Sequence, residues 1–174
     1  MRNIITGLLL TLMSTVGWGG SAEVSQKSQV SAETQSIVGK WRCKGKDINN
    51  EGTITEFRGT TIYKRDGTIT SGGTVIFSYP ETETHYSYEE LFKASASGSY
   101  RVFNSTILIV ADEYSITRWE RAGANLLDDP EMRSVVRDTE ASVRGVSIKE
   151  TILSLTAEEL VTDGEEGVSF CQRW

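Results

Sequence analysis

From Ile37 onward the chain is a succession of short apolar and β-branched runs that alternate with polar residues at a period of two, each closed by turn residues. The runs include GKWRCKG, GTITEF, TTIYKRDGTIT, GGTVIFSY, HYSYEELF, GSYRVF, STILIVA, EYSITRWE, VSIKETILSL and GVSFCQRW. Many short strands separated by polar turns predict an all-β sandwich or barrel. Asp66-Gly67, set between Ile62–Arg65 and Thr68–Thr70, is the strongest hairpin signal, because a type I′ turn needs positive φ at both central positions. Asn104-Ser105 predicts a second hairpin and Asp163–Gly167 a third, so the strands should follow one another as a meander. One stretch breaks the pattern. Over Ala124–Gly145, Asp129 suits an N-cap, Pro130 the first helical position and Gly145 the stop, while Met132, Val135, Val136 and Val143 keep helical spacing. This predicts a short inserted helix. The plainer reading packs its apolar stripe on the outside of the sheet; the alternative is a lid over a barrel mouth.

The two ends of the chain fit a single antiparallel ladder, in which Trp41 faces Arg173 and Cys43 faces Cys171. First and last strands that pair close a sheet into a barrel. The predicted fold is therefore an antiparallel up-and-down β-barrel of about 8–10 strands. Val168 and Phe170 fall out of phase with Cys171 and Arg173. Either the cysteines lie on the outer face, or a bulge shifts the strand.

Ahead of this domain, residues 1–22 carry one positive charge at Arg2, an apolar run from Ile4 to about Val16, and small residues at Gly20 and Ala22. They read as a cleaved signal peptide, the run being too short to span a bilayer. Residues 23–36 are polar and rich in Ser and Gln, which predicts a flexible leader, with a short helix covering one barrel end as the alternative. Residues 37–174 then form one domain. Two cysteines in an exported chain imply one disulfide, Cys43–Cys171. The expected location is periplasmic or secreted, with no membrane span after cleavage. A formal net charge of −6, without any basic run, disfavours nucleic acid and anionic membrane surfaces as partners.

Few motifs carry chemistry. Asp47-Ile48-Asn49-Asn50-Glu51-Gly52 begins like a calcium loop, but Arg58 occupies the twelfth position, where a bidentate Glu is needed, so it reads as a polar turn. With His85 as the sole histidine, neither a His-based metal cluster nor a Ser-His-Asp triad can be assembled. The adjacent acids Asp112-Glu113 and Asp128-Asp129 read as solvated. Asn104-Ser105-Thr106 is a glycosylation sequon and reads as a turn, as does Gly72-Gly73. No catalytic residue, metal or cofactor is expected. The aromatic residues of the central strands are more informative. Val75, Phe77 and Tyr79 share one face of their strand, and simple alternation places Tyr114 and Ile116 on a face with Arg118. Either these side chains fill the barrel, or they line a cavity for one small ligand. In the second case the candidate lining is Phe77, Tyr79, Tyr100, Tyr114 and Arg118, with Arg and Tyr as polar anchors.

The triplet Gly39-Lys40-Trp41 opening the first strand, combined with Arg173 ending the last, resembles the paired signatures of the lipocalin (calycin) superfamily. The resemblance is to small exported bacterial lipocalin-like domains. It extends in outline over residues 37–174, through Tyr63–Thr68, Gly98–Val102, Ile152–Leu155 and Glu159–Val161. It implies a structural role for Trp41 and Arg173, with the indole packed at the closed end of the barrel and the guanidinium crossing it. It also implies a non-catalytic binding protein that holds a small apolar or amphipathic ligand in a calyx. The alternative is a filled barrel that binds an envelope protein, for instance as a hydrolase inhibitor acting through its leader.

Overall fold

The structure is a computed structural model and describes residues 37–82, 86–164 and 167–174. The segments expected to be signal peptide and leader, and His85, lie outside the described residues. The strands are β1 (Gly39–Ile48), β2 (Ile54–Tyr63), β3 (Thr68–Tyr79), β4 (Tyr88–Phe103), β5 (Thr106–Arg121), β6 (Ala124–Asn125), β7 (Ser147–Leu155), β8 (Glu159–Gly164) and β9 (Gly167–Arg173). A 3-10 turn (Leu126–Asp128) and helix α1 (Pro130–Val143) lie between β6 and β7. All pairings are antiparallel. The order β4-β3-β2-β1-β9-β8-β7-β5 is closed by a β4–β5 ladder, which gives an eight-stranded up-and-down barrel with β6 as a spur on β5. This architecture is compatible with a lipocalin-like fold.

The closing ladder has the register that the two chain ends predict, with Trp41 opposite Arg173 and Cys43 opposite Cys171. The two sulfurs are bonded at 2.13 Å. Both cysteines are buried, whereas Phe170 is half-exposed on the outside. The phase conflict is therefore resolved without a bulge in this ladder: the cysteines face inward and the aromatic residue faces out. Trp41 is fully buried, its Nε1 donates to the Ile37 carbonyl at 2.7 Å, and the Arg173 guanidinium lies 4.2 Å from its ring centre. Arg173 also donates to the carbonyls of Val38 (2.8 Å) and Ala157 (2.5 Å), tying three segments across this end. Above this plug, Tyr63 meets Tyr100 edge-on at 4.9 Å among Ile69, Val102, Ile107 and Leu160. Gly59 and Gly73 face one another across β2 and β3. A Cβ on Gly59 would come 2.6 Å from the Phe57 ring and one on Gly73 2.9 Å from it, so the glycines make room for a ring that packs on this core. The lower barrel is filled with side chains.

The Asp66-Gly67 hairpin forms, but with a wider turn than type I′. Gly67 alone of the pair has positive φ (82°), and the Asp66 carboxylate accepts from the Thr68 amide at 2.9 Å and its hydroxyl at 2.7 Å. Two-residue turns with both central φ positive are Asn104-Ser105 (49° and 57°), between Phe103 and Thr106, and Ala122-Gly123 (50° and 81°), between Arg121 and Ala124. Asn104 and Gly123 are residue types that enter the left-handed region more readily than most.

Strands β3, β4 and β5 rise past the short wall formed by β7, β8 and β9. Ladder shifts at Ser97/Gly98 and Lys93/Ala94 leave Asp112 and Thr117 of β5 without partners, as two bulges. Each bulge turns the following residues over by one position. As a result Ile107, Ile109, Ala111, Tyr114, Ile116, Trp119 and Arg121 all face the same way as Tyr100 and Phe92 of β4. Helix α1 is capped by Asp129, whose carboxylate accepts from the Glu131 amide at 2.8 Å. It packs Val136 against Ile116 and Trp119. The helix thus lies on the face continuous with the barrel interior, not on the outer face. The bulges help to hold it: the Ile116 amide donates to Glu140 at 2.7 Å, the Ala111 amide to the Val146 carbonyl at 3.0 Å, and the Gly145 amide to the Ala111 carbonyl at 2.7 Å.

Candidate functional site

Above the filled barrel, the inward face of the tall β3–β5 wall carries a continuous aromatic row. Period-2 geometry puts Val75, Phe77 and Tyr79 on one face of β3 and Tyr88, Glu90 and Phe92 on the matching face of β4. The ladder sets Val75 opposite Phe92, Phe77 opposite Glu90 and Tyr79 opposite Tyr88, with Trp119 and Arg121 beyond Phe92 and Glu90 on β5. Tyr79 stacks on Tyr88 with centroids 4.6 Å apart, Phe77 meets Phe92 edge-on at 5.4 Å, and Phe92 tilts against Trp119 at 4.8 Å. Trp119 is buried, while Phe77, Tyr79, Tyr88 and Phe92 are half-buried.

A carboxylate sits inside this row. Glu90 is 0% exposed and accepts from Arg121 Nε at 2.7 Å and from Trp119 Nε1 at 3.3 Å. Arg121 Nη2 also pairs with it, and the guanidinium lies 5.3 Å from the Tyr88 ring centre. A buried charge survives only when it is paired and hydrogen-bonded, and these three donors meet that need. Arg121 keeps 39% of its side chain exposed, and its bonds to Glu90 use Nε and Nη2, not Nη1. Burial, followed by the charge of Glu90, pushes the Tyr79 hydroxyl up to about 12.

The structure separates the five residues proposed from sequence. Phe77 and Tyr79 are in the row, and Tyr114 packs nearby against the cluster of Ile116, Trp119 and Val136. Tyr100 lies lower, in the barrel core, where its hydroxyl donates to the Lys64 carbonyl at 2.8 Å and burial raises its pKa. Arg118 is on the outer face, paired with Glu120 and opposite the exposed Lys93. The bulge at Thr117 is the physical reason, since it breaks the alternation that would have kept Arg118 in phase with Ile116. It brings Arg121 to the inner face instead. Sequence reasoning missed Glu90, although an acid in phase between Tyr88 and Phe92 was a signal that a buried partner must exist.

Other candidate features have ordinary roles. The Asn49 side-chain oxygen of the calcium-like loop is used by the amides of Glu51 (3.0 Å) and Thr53 (2.9 Å), as a β1–β2 turn requires. Among the described residues no three His, Cys, Asp or Glu side chains are grouped to hold a metal ion, and no helix is long and apolar enough to cross a membrane. The Cys43–Cys171 bond fits an oxidising, exported location. A shallow depression at the opposite end, lined by Glu158, Gln172, Arg173 and Trp174, is remote from the aromatic row. Comparison with protein-family models finds no match for this chain, and comparison with curated proteins finds none either.

Proposed function

We propose that the protein is a non-catalytic, exported, lipocalin-like binding protein that takes a small amphipathic ligand at the mouth of the barrel. The observation that carries this reading is the half-buried aromatic row ending in the Glu90–Arg121 pair. The lower barrel is occupied by Trp41, Tyr63, Tyr100 and Phe57, so a ligand would lie higher than a deep calyx would hold it. Its apolar body would lie along Phe77, Tyr79 and Tyr88, and a hydrogen-bond-accepting head group such as a carboxylate would meet Arg121 Nη1. Pairing with Glu90 fixes the guanidinium in advance, which lowers the cost of ordering it on binding.

Native mass spectrometry of the exported protein from its own host, repeated under denaturing conditions, tests this directly. Bound mass that disappears on denaturation is expected, and Tyr79→Ala should reduce its occupancy several-fold while leaving the barrel folded. A bare mass, together with no uptake of a fluorescent fatty acid by the parent protein, would overturn it. The filled lower barrel favours one second reading, a module that binds an envelope protein through its surface. Deleting residues 23–36 separates the two, because only a partner gripped by the leader would then be lost.

A further inference from the structure

The outer face of β1 carries Lys40, Arg42, Lys44 and Lys46, every one exposed, followed by exposed Ile48, in a chain whose formal net charge is −6. Alternation hides this row in the sequence, where inward-facing Trp41, Cys43 and Gly45 separate the cations. Strand geometry spaces them roughly 6.8 Å apart in a line. Lys46 is spoken for by Glu56 at 3.0 Å. Among the described residues, Lys40, Arg42 and Lys44 have no carboxylate partner.

Large apolar side chains stand on the same side of the barrel. Trp174, 67% exposed, lies 5.4 Å from the Lys40 ammonium and 5.0 Å from the Arg42 guanidinium. Phe170, 50% exposed, is opposite Lys44 on β9, and Val161 is opposite Phe170 on β8. Leu153, 57% exposed, is skipped by the β7–β8 ladder beside Ser154, the partner of Val161. Lys44, Phe170 and Leu153 are therefore exposed on β1, β9 and β7, with the buried Val161 (8% exposed) between the last two on β8, and Arg42, Lys40 and Trp174 along the lower margin. Glu158 and Glu159 border that margin near Gln172.

We propose that this face docks on an anionic lipid surface, independently of any ligand at the mouth. Unpaired cations meet lipid phosphates, while Trp and Phe settle at headgroup level, where amphipathic rings are favoured. Two features favour lipid over an acidic protein. The shallow depression lined by Glu158, Gln172, Arg173 and Trp174 is confined to the lower margin, while Phe170 and Leu153 stand out from the strands beyond it, and a fluid headgroup layer takes up protruding Trp174, Phe170 and Leu153 without needing a complementary shape. The net negative charge of the whole chain does not forbid contact, since screening limits its reach to about 8–10 Å, and Lys40, Arg42 and Lys44 lie in one line beside Trp174 and Phe170, with Glu158, Glu159 and Asp163 at the margins.

The test uses exported protein whose mass shows residues 1–22 to be absent, mixed with phosphatidylglycerol-containing or pure phosphatidylcholine vesicles. Co-sedimentation with the anionic vesicles is expected, weakening as salt rises, with a blue shift in tryptophan emission. Trp174 is the reporter for that shift, because Trp41 and Trp119 are buried. Lys40→Gln, Arg42→Gln and Lys44→Gln should each weaken binding about fivefold, and together roughly a hundredfold, with thermal unfolding unchanged. Phe170→Ser should reduce binding to a smaller extent. Equal binding to both vesicle types, no binding at low salt, or a triple variant that binds like the parent would overturn the proposal. Preference for soluble polyglutamate over anionic vesicles would also overturn it and assign the face to an acidic protein.

Discussion

At the closed end, the inner-face side chains of all eight strands meet one another, and Trp41, Ile37, Ile107 and Leu160 are almost completely sealed from water. Past Gly98 the same faces of β3, β4 and β5 continue, and among the described residues α1 and the 3-10 turn pack on part of them. The closed end has an apolar plug, a disulfide and a cation over an indole. The open end has half-buried rings, a buried ion pair and backbone donors freed by two bulges. Complete burial favours a single stable arrangement, whereas partial burial leaves surface that a ligand can still remove from water. The end that holds the fold together and the end proposed to do the work are separate halves of one continuous sheet face.

The largest effect should come from removing the plug. Trp41→Ala deletes a sealed side chain, its hydrogen bond to Ile37 and the surface beneath Arg173, and should cost about 3–5 kcal/mol in urea unfolding. A loss below about 1 kcal/mol would show that the closed end does not dominate stability. A smaller and more local loss should follow from Glu140→Ala, which strips the Ile116 amide of its acceptor, at about 1–3 kcal/mol for a buried unpaired donor. Hydrogen exchange should then speed up at Ile116 and along α1 while protection at β1 and β9 holds. Faster exchange everywhere would mean that the two ends unfold as one unit.

The smallest effect is one of pH. The Tyr79 hydroxyl rises from an ordinary 10.0 to about 12 in the folded protein, through burial and then through Glu90. A raised folded pKa gives stability that is complete below the unfolded value and disappears as pH climbs through the folded one. Thermal stability should therefore fall between pH 10 and about 12, and Tyr79→Phe should flatten part of that decline. An unaltered decline in the variant would assign it to other groups, of which Tyr63 is the first candidate, being raised well above its ordinary value by burial and then by Glu150.

Much of this was legible because it is local. Period-2 alternation, turn residues and the Asp129-Pro130 start of α1 need only near neighbours, and the closing register was readable because Trp41, Cys43, Cys171 and Arg173 constrain it twice. The site was legible only in part. Phe77 and Tyr79 lie on a regular strand, where alternation holds, whereas Arg118 and Arg121 follow bulges that no local signal marks. Beside each bulge a backbone amide of β5 bonds outside the β4–β5 ladder, Ile116 to Glu140 of α1 and Ala111 to the Val146 carbonyl just past α1, contacts that become visible only once the chain is folded.

The sequence by itself thus determined the β class, the order of hairpins, the helix, the pairing of first and last strands and the cysteine bond. These follow from alternation, turn chemistry and two coincident pairs, all properties of the chain as written. Only the tertiary structure decided which face of each strand looks inward, that the lower barrel is filled, that Glu90 meets Arg121, and that four scattered cations form one row. Those outcomes depend on where distant strands stop, bulge and curve, and strand ends and curvature are set by packing between segments far apart in the chain.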